Sequence, residues 1–273
     1  MKGCDFMSNG FEKLAEGVGN AIQTVPELYE DAFQSTVQEA GKFVARIPRA
    51  INAAFSGLDK WILNKEYSVD ETKKLLAQKL ENVEPEKIVE PEPYVAIPTI
   101  QAISYTMNST ELRELYATLL AKSMNTDTKE YVHPAFIETI KQLSPEDAKY
   151  FKHIYPLEYR PMLSATLESE VGIYTVASQI NTFSKGTKNM PLVIDNLCRL
   201  GLIEIPQDTW YAEDHIYDAL LEATKRTYSY EKYKDSYPEA TTMTYHKSRI
   251  DITSYGKAFY NSCVNNSFVS SPI

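Results

Sequence analysis

The sequence predicts a mainly α protein, with a helical N-terminal region over residues 10–155 and a small mixed α+β region over residues 156–273. Three observations carry that reading. Apolar residues between Val37 and Ile62 recur at seven-residue spacing, as helix-on-helix packing requires. Residues 109 to 120 combine a capping sequence with apolar side chains three and four apart, which gives one buried helical stripe. After Tyr155 the composition turns to alternating Thr, Val, Ile and Tyr, the mark of half-buried strands. A chain of 273 residues that is 43% hydrophobic can bury one large core or two modest ones.

In the first segment Val37, Val44, Ile51 and Leu58 form one row, and Ala40, Ile47, Ala54 and Trp61 the other. Pro48 interrupts the run, removes a backbone donor and should divide it into two helices. At Ser68 the sequence Ser-Val-Asp-Glu reads as a capping box, with Leu75, Leu76 and Leu80 as the buried face of the helix it opens. Glu81 to Pro93 mixes three prolines with glutamates and is expected to be an extended connector. Asn108-Ser-Thr-Glu111 then opens a helix that buries Leu112, Leu115, Tyr116, Leu119 and Leu120. Arg113, Glu114, Thr118 and Lys122 are expected to face away.

The stretch YVHPAFIETIKQLSPEDAKYF, Tyr131 to Phe151, crowds His, Glu, Asp and Pro together like a catalytic or metal site. Its spacing reads instead as helix punctuation. His133 precedes Pro134 at a helix start, where the missing N–H of proline costs nothing. Phe136, Ile137 and Ile140 form the buried face. Ser144 caps the next helix, with Pro145 first and Glu146 and Asp147 near the positive end of the dipole.

In the C-terminal region, Pro161 to Leu167 and Gly172 to Phe183 are strand candidates. Met190 to Leu200 suits a helix ended by Gly201 in the left-handed conformation. Leu202 to Ile205 reads as a strand, Asp214 to Asp235 as helix, Thr244 to Thr253 as strand, and Thr253 to Phe259 as the start of a closing helix.

Chemistry is sparsely signalled. The four histidines, His133, His153, His215 and His246, show no HExxH or comparable i, i+4 ligand spacing, and His133 and Glu138 lie ~140° apart around a helix. The sequence therefore implies no metal and no cofactor. It contains no GxSxG, Walker A or GxGxxG motif, and its glycines stand singly. Cys4, Cys198 and Cys263 form no CxxC pair, which suits a reducing compartment. Cys198 lies on an apolar helix and reads as a packed thiol. Met1 to Gly10 offers no apolar stretch of signal-peptide length, and no window approaches a bilayer span. The expectation is a cytoplasmic protein that is not an enzyme, with peripheral membrane association as an alternative.

A net charge of -9 argues against a chain-wide nucleic-acid surface. Residues 41–65 are locally basic: five cations (Lys42, Arg46, Arg49, Lys60, Lys65) against Asp59 leave +4. Lys42, Arg46, Arg49, Lys60 and Trp61 are the candidate interaction surface, for an acidic partner or anionic lipid. The competing reading has the apolar row packed in the core and the cations set against the acidic connector.

Leu197-Cys-Arg-Leu-Gly-Leu-Ile-Glu-Ile205, with Arg249-Ile-Asp-Ile-Thr-Ser-Tyr-Gly-Lys-Ala-Phe259 downstream, resembles the run of a winged-helix domain. DNA binding through it is disfavoured, since residues 187–273 hold 9 Lys and Arg against 11 Asp and Glu, a net of -2. A winged-helix-like fold used for protein contact fits better.

Ile88-Val-Glu-Pro-Glu-Pro-Tyr-Val-Ala-Ile-Pro98, Glu111-Leu-Arg-Glu-Leu-Tyr-Ala-Thr-Leu-Leu-Ala121 and His133-Pro-Ala-Phe-Ile-Glu-Thr-Ile-Lys-Gln-Leu-Ser-Pro145 together resemble the abortive infection alpha family. So do Leu200-Gly-Leu-Ile203 and Ile252-Thr-Ser-Tyr-Gly-Lys-Ala-Phe259. The resemblance extends over residues 30 to 265. It implies a bacterial protein of defence against phage, in which the infected cell stops growing before phage release, and it carries over no catalytic residues. Its partner would be a phage or host protein, or a second copy of the chain.

Overall fold

The computed structural model describes residues 46–53, 66–106, 109–184 and 189–267. Residues 46–53 are helical and include Pro48; the rest of the heptad segment lies outside the described residues. Then follow α1 (Glu66–Leu80), α2 (Pro93–Tyr105), α3 (Thr110–Ser123), α4 (Ala135–Lys141) and α5 (Pro145–Ile154). The strands β1 (Pro161–Ser169) and β2 (Gly172–Ile180) lead to α6 (Met190–Arg199), β3 (Ile203–Glu204), α7 (His215–Thr227) and α8 (Tyr230–Tyr233). The chain closes with β4 (Ala240–Arg249), β5 (Asp251–Ile252) and α9 (Ser254–Phe259), which runs into a π-helical turn, Tyr260–Val264.

The architecture is mixed α+β, about 53% helical, and not mainly α as predicted. The correction has a physical source. β1 is buried along most of its length, so it lacks the clean alternation that marks a one-sided strand. β4 begins at Ala240, ahead of the expected Thr244, because its Thr-rich start shows no apolar period. One sheet is antiparallel with order β2-β1-β4, and β3 pairs with β5 in a second.

The capping arithmetic of the sequence holds at two helices and fails at one. Ser109 accepts the Leu112 N–H at the start of α3. Ser144 accepts the Asp147 N–H at 3.1 Å, and the Asp147 carboxylate accepts the Ser144 N–H at 2.7 Å, a complete capping box. Asp147 Oδ2 also accepts from Asn196 of α6 at 2.8 Å, so the cap fastens two helices together. Ser144→Ala is expected to lower stability by about 1 kcal/mol, measured by urea denaturation. At α1, by contrast, the helix is already formed at Glu66, which leaves Ser68 inside it.

The connector also departs from expectation. Val83 and Ile88 are buried, Pro85–Lys87 forms a 3-10 turn, and Val89 N–H donates to the Met124 carbonyl at 2.9 Å. Its five glutamates are exposed while Val83 and Ile88 pack inward, so the charge run conceals a core segment. The largest buried cluster joins Tyr116 (α3), Phe136 and Ile140 (α4), Phe151 and Ile154 (α5), Ile194 and Leu197 (α6) and Phe259 (α9), and so draws on residues from both sides of position 155. A second unites Ala50, Ile51, Leu76, Leu80, Ile100, Leu120 and Met124. In a third, Tyr217 and Leu220 of α7 cover one face of the sheet at Leu163 and Ala165.

Candidate interaction surface

Of the five residues predicted to form an interaction surface, Arg46 and Arg49 are described and both are exposed; Lys42, Lys60 and Trp61 lie outside the described residues. The same short helix turns Ala50 and Ile51 into the second core cluster, with Ile47 packed against it. Arg46 Nη1 donates to the Pro85 carbonyl of the connector at 3.1 Å. In this stretch the apolar side faces inward, the arginines face outward, and one of them is held by the acidic segment.

A second surface was not visible in the sequence. It grows outward from the core along aromatic rings at the end of α5. Phe151 touches Phe259 at 5.9 Å and Tyr155 at 6.0 Å between centroids, and Tyr155 stacks on Tyr260 at 3.5 Å with planes 2° apart. The Arg160 guanidinium closes the end of α5, donating to the carbonyls of Ile154 and Tyr155 at 2.7 Å each, which suits a cation at a helix C-terminus. Past Arg160 the row continues on the outside. Tyr159 meets Tyr211 edge-on at 5.2 Å, and Arg249 lies over the Tyr211 ring at 5.6 Å.

Hydrogen bonds fix this group. The Arg160 N–H donates to the Tyr211 hydroxyl at 3.0 Å, and the Tyr211 N–H to the Tyr217 hydroxyl at 3.1 Å. Tyr217 in turn donates to the Ser248 carbonyl at 2.9 Å. Burial raises the Tyr217 phenol; at Tyr159 a hydrogen bond with Glu158 is the chief cause of a raised phenol. Both stay neutral donors in ordinary buffers. Tyr159 is 43% exposed, Trp210 beside Tyr211 in the chain 52%, and Leu157 36%. Tyr211 is thus held in a polar frame, and the larger part of the open aromatic area beside it belongs to Tyr159 and Trp210. The sequence signal of this group was weak: aromatics in the two loop stretches around Tyr159 and Trp210, which only the fold brings together.

The remaining chemistry is dispersed. His133 Nδ1 accepts the Ala135 N–H at 3.1 Å, so the side chain does serve the start of α4. His153 bonds the Lys149 carbonyl within its own helix, and His246 bonds Thr166 across the sheet at 2.8 Å. Among the described residues no group of three or more His, Cys, Asp or Glu is placed to hold a metal. Cys263 is buried and Cys198 half-buried, and burial raises both thiols, which makes them poor nucleophiles. Lys122, expected on the outside of α3, is 4% exposed. Its ammonium donates to the carbonyls of Asn261 at 2.5 Å and Ser267 at 2.7 Å, closing the last helical turn. Among the described residues no helix is long and apolar enough to cross a membrane.

No curated protein and no solved structure matches the chain. The family model for abortive infection alpha matches residues 64–263, and that span holds α1 to α9, both sheets, the Ser144 capping box and the aromatic surface. Matched over most of its length, the chain belongs to the abortive infection alpha family.

Proposed function

We propose that this protein serves bacterial defence against phage by abortive infection, and that it does so in the cytoplasm through protein contacts or self-assembly and not through catalysis. The family membership supports the defence role. The observation that carries the mode of action is the open aromatic group, Tyr159 and Trp210 at 43% and 52% exposure with Arg249 over Tyr211, since Trp, Tyr and Arg are the residues in which interface energy concentrates.

The test is phage challenge of cells expressing the chain or its Tyr159→Ala/Trp210→Ala double variant at matched abundance. Both side chains are largely at the surface, so folding should be unaffected while protection is lost. Full protection by the double variant would sink this surface as the functional one. A single His, Asp or Glu substitution that abolished protection with folding and partner capture intact would sink the non-catalytic reading.

A second reading has its own support. α6 ends at Gly201 with φ 70°, β3 pairs with β5, and Thr253 caps α9, an order of elements that favours a winged-helix-like unit used for protein contact. Its use on DNA predicts retardation that weakens steeply with salt. Membrane action through the 41–65 segment is favoured less, because Ala50 and Ile51 are already buried.

A further inference from the structure

Cations meet rings twice in the aromatic group, each time with a carboxylate behind the cation. The Arg249 guanidinium lies over Tyr211 at 5.6 Å and donates to Asp251 at 3.0 Å. The Lys247 ammonium lies over Tyr217 at 5.3 Å and donates to Asp214 at 2.5 Å. Such contacts are electrostatic, because the ring face is the negative side of the aromatic quadrupole. Arg160 is spent as well, on the carbonyls of Ile154 and Tyr155. The cations of this group are thus satisfied within the chain.

The outer rings lack what the inner ones have. Among the described residues no cation lies over Tyr159 or Trp210, although both rings stand open to water. Carboxylates are at hand. Glu158 accepts from the Tyr159 hydroxyl, and Glu213 is near enough to act on the same phenol; Asp208 stands in the loop that carries Trp210. All three are exposed, and among the described residues none of them is in an ion pair. The outer part of the surface therefore joins electron-rich rings to negative charge that is not neutralised. Such a rim repels phosphate, which sets nucleic acid and anionic lipid aside as occupants, and it attracts a cation that none of the described residues supplies.

We propose that Tyr159, Trp210, Glu158 and Glu213 receive an arginine-bearing segment of a protein partner, with the guanidinium over an aromatic ring and its N–H groups donating to the carboxylates. This rests on the reading of the aromatic group as the functional surface and names the chemistry of what binds there. Arginine is chosen over lysine because its plane covers a ring while its edge still donates. Arg249 already does both, over Tyr211 and through Nε and Nη2 to Asp251 at 3.2 and 3.0 Å. Burial of ring and guanidinium together supplies the affinity. The carboxylates set the orientation and turn away partners that present acidic segments.

The test is fluorescence anisotropy of a labelled peptide of alternating arginine and glycine with the full chain at low salt, beside the same peptide with glutamine or lysine for arginine. The arginine peptide should bind, the lysine peptide more weakly, and the glutamine peptide not at all. Tyr159→Ala/Trp210→Ala and Glu158→Gln/Glu213→Gln should each raise the Kd at least about tenfold, with unchanged far-ultraviolet dichroism. Glu81→Gln/Glu170→Gln removes the same charge from exposed positions after α1 and in the β1–β2 turn, and should change the Kd less than about twofold. Equal weakening by the two carboxylate pairs would mean attraction to the acidic chain as a whole and overturns the site, as does an arginine peptide that fails to bind. A lysine peptide bound as tightly overturns the choice of arginine. Phage challenge separates this inference from the reading beneath it. If Tyr159→Ala/Trp210→Ala abolishes protection while Glu158→Gln/Glu213→Gln retains it in full, the surface stands and the cationic partner falls; full protection by the aromatic variant overturns both.

Discussion

Gly256→Ala is expected to unfold the C-terminal part of the protein, with a loss of about 3 kcal/mol or more in urea denaturation. A Cβ at this position would lie 2.0 Å from the Leu202 carbonyl oxygen and 2.9 Å from its carbon, so the obstacle is backbone and cannot rotate away. The approach is close because one residue organises both sides of it. Thr253 accepts the Gly256 N–H at 2.8 Å to cap α9, its hydroxyl donates to the Gly201 carbonyl at 2.5 Å, and its own N–H donates to Leu202 at 3.3 Å. Moving α9 to accommodate a methyl group would break the cap, separate β3 from β5 and withdraw Phe259 from the main cluster, where it meets Phe136 at 5.7 Å. Lys257→Ala, on the same helix and exposed, is the control and should change stability little. An unchanged midpoint for Gly256→Ala would show that α9 does not sit on the Leu202 backbone.

What the sequence disclosed and what it hid divide along one physical line. Features decided within a turn or two were legible: the Ser144 cap with Asp147, the Ser109 cap, Gly201 at the end of α6, and the inward row Phe136, Ile137 and Ile140. Each depends on neighbours three to five residues away. Thr118 and Lys122 were placed outside on the same logic, and both are buried, because the chain returns 139 residues later to lay Asn261 against Lys122. A helical period says which face is apolar. It does not say whether another segment will cover the polar one.

The connector was misjudged for a related reason: five glutamates in Glu81–Pro93 dominate its composition, while burial is decided by where Val83 and Ile88 point. The aromatic surface was hidden because Tyr159 and Tyr211 are separated by the whole β1–β2–α6 excursion, and neither loop alone has a pattern. The basic stretch was legible as charge, and one of its two described arginines, Arg46, spends its guanidinium on the Pro85 carbonyl.

Lys122 yields the second large effect, and it is one of pH. Burial lowers its ammonium from the usual 10.5 to about 8, so between those values the unfolded chain holds a proton that the folded chain has released. Stability therefore rises with pH through that window, and the gain from this residue between pH 7 and 9.5 is about 2 kcal/mol. Other groups pull the opposite way. The Cys263 thiol and the Tyr116 and Tyr150 phenols are raised by burial; they stay protonated when folded and ionise when unfolded, which removes stability above pH 9 to 10. The whole protein should thus be most stable near pH 9 and lose stability steeply beyond it. The contribution of Lys122 is isolated by comparison with Lys122→Met, which keeps the buried stem and removes the charge. The stability difference between the two proteins should shift by about 2 kcal/mol in favour of the lysine from pH 7 to 9.5, because the phenol contributions cancel between them and burial, the chief influence on the Cys263 thiol, is common to both. A difference that stays flat over that range would mean that the Asn261 and Ser267 carbonyls offset the cost of burying the charge, and that the last turn of the chain is closed by a lysine with an ordinary proton affinity.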